Sequence, residues 1–109
     1  MVNTKLNLLA IDLGNTNLAI GFFQNGKLKF HWRFSTDHKR MQDEYGLQFL
    51  GVLNHAGIEI KDISGIVFSS VVPPLTGKVV QACEKYLSHP PLIVHSDLKL
   101  NINIDYDDP

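Results

Sequence analysis

Apolar and polar positions along the chain follow two rhythms, and the switches between them outline the fold. Leu6 to Asp12 is a short, almost unbroken aliphatic run followed at once by the turn residues Gly14 and Asn15, which predicts a buried strand. Leu18 to Gln24 is a second run of the same kind. Asn25-Gly26 then supplies the dipeptide that best tolerates the positive φ angles of a tight hairpin. From Lys27 the pattern alternates: Leu28, Phe30, Trp32 and Phe34 are expected on one face, and Lys27, Lys29, His31, Arg33 and Ser35 on the other. This is the signature of a strand at a sheet edge with one wet face.

After the polar stretch Thr36 to Arg40 the period becomes helical. Tyr45, Phe49, Leu53 and Ala56 recur at spacings of three and four, Asp43 and Glu44 favour the N-terminal end of the helix dipole, and Gly57 is placed to end it. Ile63 to Val72 reads as a fourth, buried strand, stopped by Pro73-Pro74. Leu75 to Leu87 is helical by the spacing of Val79, Cys83, Tyr86 and Leu87, and Leu92 to His95 gives a short fifth strand. Two hairpins and two crossovers in this order predict a mixed α/β sheet. Asn101 to Pro109 loses apolar character and turns acidic, as a tail would.

Composition narrows the function. A length of 109 residues supports one hydrophobic core and not two, so a complete two-domain enzyme is excluded. Hydrophobic residues at 44% and charged residues at 19% place the chain among folding proteins. Ten basic and eleven acidic side chains leave a net charge of -1, without the positive field of a nucleic-acid or anionic-membrane binder. The apolar runs are far shorter than the roughly 20 residues of a membrane span. A single cysteine, Cys83, and the lack of a signal-peptide layout suggest a cytoplasmic protein.

The candidate chemistry lies between the first two strands, at Asp12-Leu13-Gly14-Asn15-Thr16. A carboxylate at a strand end can hold a metal-bound water, Gly14 permits close approach of backbone to phosphate, and Asn15, Thr16 and successive amides can donate to its oxygens. The same residue types also suit a plain hairpin turn, and both readings stand at this point. Gly77-Lys78 is no P-loop, because Val72 replaces the first glycine and Val79 the magnesium-binding hydroxyl, which leaves Lys78 a solvated helix residue. The five histidines lack metal-ligand spacing, Cys83 fits a core position, and Ser69 and Ser70 lack a hydrolase elbow.

Asp12-Leu13-Gly14-Asn15-Thr16-Asn17, the Asn25-Gly26 hairpin, His31-Trp32-Arg33-Phe34-Ser35-Thr36, Asp43-Glu44-Tyr45, Ser69-Ser70-Val71-Val72-Pro73-Pro74 and Ile104-Asp105-Tyr106-Asp107-Asp108-Pro109 together resemble type III pantothenate kinase, collinearly over nearly the whole chain. The short aspartate motif alone is shared with the wider group of acetate kinase, sugar kinases, Hsp70 and actin. The resemblance implies a ribonuclease-H-like half with a five-stranded mixed sheet in the order 3-2-1-4-5 and helices packed on it. Residues 1–109 would be the N-terminal, ATPase-like domain of a two-domain kinase. ATP phosphates would contact Asp12, Leu13, Gly14, Asn15, Thr16 and Asn17, with Asp12 positioning magnesium directly or through water.

The resemblance also implies pantothenate as substrate, a monovalent cation (K+ or NH4+), a homodimer, and a place for Tyr106 beside the pantothenate pocket, unless that residue only anchors the tail. Family members continue after this point into a Gly-x-Asp-Arg segment carrying the general base, a second phosphate loop and an adenosine motif. None of these occurs here, so the chain alone is expected not to phosphorylate pantothenate. The rival expectation is a non-enzymatic interaction module or transcriptional accessory factor of the same fold.

Overall fold

Uninterrupted apolar runs become the middle of a sheet, because only a strand covered on both faces can dispense with polar alternation. In the computed structural model, which describes residues 6–94, β1 (Asn7–Leu13) holds that central place. It pairs antiparallel with β2 (Asn17–Gln24) and parallel with β4 (Gly65–Ser70). β3 (Lys27–Ser35) closes one edge beside β2, and β5 (Leu92–Val94) closes the other beside β4. The spatial order is β3-β2-β1-β4-β5, the order that the family resemblance implies for a ribonuclease-H-like half.

Alternation along each strand divides the sheet into two faces. Leu9, Ile11 and Leu13 of β1, Leu18, Ile20 and Phe22 of β2, and Ile66 and Phe68 of β4 point into one core. Two helices cover that core: α1 (Gln42–Ala56) through Tyr45, Phe49, Val52 and Leu53, and α2 (Pro73–Leu87) through Leu75, Val79, Cys83 and Leu87. Ala10 and Ala19 occupy the opposite face with Phe23 and Val67.

Three expectations change. A bulge between Phe22 and Phe23 leaves Lys29 unmatched, so that Phe30 opposes Phe22 while Leu28 opposes Phe23. One extra residue reverses every side chain before it, so Leu28 belongs to the Phe23 face and not to the face of Phe30, Trp32 and Phe34. The fourth strand is also shorter than Ile63 to Val72. A 3-10 turn at Ile60–Asp62 holds the Ile63 amide, and beyond Ser70 the Val72 amide turns to the Ser70 hydroxyl.

Pro73 and Pro74 do not merely stop the strand but form the first turn of α2. Proline at that position brings a φ already suited to a helix and lacks only an amide that would have no intrahelical acceptor. The seam between the helices is closest at Gly46, where the Tyr86 ring occupies the space of a missing side chain. The Tyr86 hydroxyl donates to Asp43 Oδ1 at 2.7 Å, and the Lys85 ammonium reaches the same oxygen at 3.1 Å. The two bonds hold the Asp43 carboxyl below its ordinary range, the Tyr86 bond being the stronger cause.

α1 opens on a capping box with one weak member. Glu44 Oε1 accepts the Met41 amide at 2.7 Å, while the return position facing the Glu44 amide is held by the exposed Met41 thioether, a poorer acceptor than a hydroxyl. The Met41→Ser variant should therefore raise the unfolding free energy by about 1 kcal/mol, measured as a higher urea midpoint at unchanged slope.

Candidate functional site

Ligands of open α/β sheets gather at the C-terminal ends of the parallel strands. Here those ends belong to β1 and β4, whose last residues Leu13 and Ser70 lie in register, with α2 starting three residues beyond. The bend from Gly14 to Thr16 sits on this rim between β1 and β2.

Asp12 precedes the bend and, by strand alternation with Ile11 and Leu13, shares the Ala10 face, opposite the helices. Its cross-strand neighbours are Ala19 on β2 and Ser69 on β4, both short, and the carboxylate is half-buried between them. Arg33 follows Ala19 in the same cross-strand row.

Within the bend, the Gly14 amide closes the hairpin on the Asn17 carbonyl at 2.8 Å. The loop's three carbonyls are engaged by the segment after β3. The Thr36 hydroxyl donates to the Gly14 carbonyl at 2.7 Å, the Thr36 amide to that of Thr16 at 2.9 Å, and His38 Nε2 to that of Asn15 at 3.0 Å. A carbonyl only accepts, so Nε2 carries the proton. Asn15 and Thr16 are exposed, and among the described residues their amides make no hydrogen bond. Two unspent backbone donors beside a glycine are what an anion-binding nest offers, and the Asp12 carboxylate at the strand end suits a cation that would accompany the anion.

Every expected site residue but Tyr106 can be placed. Asp12, Gly14, Asn15, Thr16 and Asn17 stand together on the rim. Leu13, by contrast, is fully buried in the core, its carbonyl taken by the Val71 amide, so its side chain has no part in the site. Asn17 lays its amide against the Thr16 hydroxyl at 3.4 Å. A methyl group on Gly14 would come within 3.3 Å of the Asn17 carbonyl, closer than such contacts ordinarily fall. Tyr106 and His95 lie outside the described residues.

Thr36 and His38 were not singled out as loop contacts by the sequence. The signal that locates them is register: Ser35 opposes Asn17, so whatever follows Ser35 must run beside the bend. Lys78 is not simply solvated, since its ammonium lies half-buried, 3.4 Å from the Arg40 carbonyl.

Burial pushes the Cys83 thiol up to about 12, which keeps it protonated and unreactive near neutrality. Among the described residues no three His, Cys, Asp or Glu side chains could hold a metal. A cavity of about 490 Å3 lined by Phe22, Phe30 and Lys29 lies under the C-terminal end of α1, where β1 begins, at the opposite end of the sheet from the bend. None of the helices described is long and apolar enough to cross a membrane.

Comparison with solved structures places the fold. Over 84% of its length the chain superposes on a ROK hexokinase from Thermus thermophilus with a TM-score of 0.63 and 15% identity, covering 35% of that protein. It matches YeaZ from Pseudomonas aeruginosa with a TM-score of 0.59 and 18% identity over 83% of its length and 44% of that chain. Thermus thermophilus RuvC matches with a TM-score of 0.55 and 17% identity, over 83% of this chain and 62% of that one. The chain thus spans less than half of the hexokinase and of YeaZ, and the likeness to all three is one of fold. The family model for type III pantothenate kinase matches residues 8–109. With the aspartate, glycine and open amides on the rim of that fold, the chain belongs to the type III pantothenate kinase family.

Proposed function

We propose that this chain is the nucleotide-binding N-terminal half of a kinase that transfers the γ-phosphoryl group of ATP to pantothenate, giving 4'-phosphopantothenate. The observation that carries the reading is the pair of unspent amides at Asn15 and Thr16 beside Asp12, within a chain of this kinase family. Phosphoryl transfer needs little covalent help from the protein and much positioning and charge stabilisation. Donors fixed in advance where charge develops supply that stabilisation without reorganisation.

In this reading the Gly14–Thr16 backbone and Asn17 bind phosphate oxygens, and Asp12 faces magnesium directly or through water. When bound, the metal would neutralise phosphate charge. Tyr106 stands beside pantothenate. The general base and the second phosphate loop belong to a second domain outside these residues, so the 109-residue chain by itself binds nucleotide but turns over no pantothenate. A monovalent cation, a homodimeric assembly and a cytoplasmic location complete the proposal.

The test has two arms. Titrating the isotope-labelled chain with Mg2+ and ATP should shift the amide resonances of Asn15 and Thr16 first. The uninterrupted gene product should form 4'-phosphopantothenate from pantothenate and ATP. Unmoved loop resonances at millimolar nucleotide, or a full-length protein that consumes ATP without regard to pantothenate, would overturn the reading.

A further inference from the structure

The phosphate-binding bend does not hold its own shape. Among the described residues its internal ties are the Gly14 amide to the Asn17 carbonyl, which closes the hairpin, and the Asn17 side chain to the Thr16 hydroxyl, and both leave the carbonyls of Gly14, Asn15 and Thr16 to be satisfied elsewhere. All three are satisfied by one short segment, Thr36 to His38, entering from the far side of β2. A peptide group's carbonyl and the following amide point in opposite directions. Fixing the Gly14 carbonyl therefore aims the Asn15 amide away from the segment, and fixing the Asn15 carbonyl does the same for Thr16.

We infer that Thr36 and His38 are positioning residues: a clasp whose hydroxyl and imidazole turn the loop carbonyls inward so that the Asn15 and Thr16 amides stay aimed at an incoming phosphate. The inference rests on the function proposed above and adds to it a structural reason why this loop is ready before nucleotide arrives. Preorganisation of this kind appears as affinity, because the loop need not be ordered on binding. The imidazole donates through Nε2, because the Asn15 carbonyl it meets can only accept.

Thr36→Val removes the hydroxyl at constant shape and keeps the backbone bond from residue 36 to Thr16, so the fold has no reason to fail. The probe is tripolyphosphate, which presents the phosphate chain without the nucleoside, titrated into the 15N-labelled chain while loop order parameters are recorded in its absence. Thr36→Val should lower the order parameters of Gly14 to Thr16 and weaken tripolyphosphate binding roughly tenfold. His38→Ala should lower those of Asn15 and Thr16, and Thr36→Ser should restore both order and affinity.

Unchanged order and affinity in Thr36→Val, or failure of Thr36→Ser to restore them, would overturn the clasp. If the unaltered chain binds no tripolyphosphate, the phosphate-loop reading fails. The clasp is then judged on the order parameters of the free chain alone, where an unaltered loop in both variants sinks it.

Discussion

Replacing Asp12 by asparagine should lower pantothenate-dependent turnover of the full-length protein by a factor on the order of 10²–10³ while leaving its circular dichroism unchanged. The substitution keeps size and removes charge, and the flanking Ala19 and Ser69 are small enough that the amide meets no new obstruction. The loss should fall mainly on kcat. In the function proposed above, a carboxylate that positions a metal on the phosphates would matter most as charge moves during transfer, whereas ground-state grip on the phosphates would be shared with the Asn15 and Thr16 amides. Coupled measurement of ADP and 4'-phosphopantothenate at saturating magnesium makes the comparison. Equal kcat in the two proteins would remove Asp12 from the reaction.

Gly46→Ala should destabilise the chain by about 1–2 kcal/mol, although alanine is ordinarily the better helix former by about 1 kcal/mol. The reversal comes from Tyr86, whose ring lies where the new methyl group must go and would have to move from its base and not only from its tip. That ring is tethered through its hydroxyl to Asp43, on the same helix as Gly46, so its displacement also breaks one of the two bonds that Asp43 makes from α1 to α2. The Tyr86→Ala background separates the two effects. There Gly46→Ala should become stabilising by about 1 kcal/mol, as propensity alone requires. Denaturant melts of the four proteins close the cycle, and the same sign for Gly46→Ala in both backgrounds would mean that the close approach is not what fixes glycine at this position.

Features set by local chemistry were legible in the chain, and features set by contacts between distant segments were not. β1, β2 and their hairpin follow from aliphatic runs around Gly14 and Asn25-Gly26, and α1 from its spacing of Tyr45, Phe49 and Leu53. With the family resemblance this was enough to order the strands. Lys29 gave no hint of being an extra residue, because a bulge leaves the alternation of Phe30, Trp32 and Phe34 intact and disturbs only what lies before it. The prolines opening α2 look like a strand stop in the sequence, since their missing amide argues equally against a strand and for a first helical turn. In the site, the Asp12-to-Asn17 motif named its own residues. The contributions of Thr36 and His38 depend on which strand end lies beside the bend, and so became visible only with the sheet register.

The central position of β1 sets an order of assembly. Its antiparallel side is closed by a partner so near that the Leu6 and Asn25 contact spans 19 positions, whereas its parallel side waits for a segment 57 positions away, where Asn7 meets Ser64. Closing the longer loop costs more chain entropy, and it must carry α1 with it. The hairpin that bears the bend therefore closes at the smaller entropic cost, while the wall supplied by β4 and the start of α2 arrives only with the crossover, so the rim around Asp12 stays incomplete until that longer loop has closed.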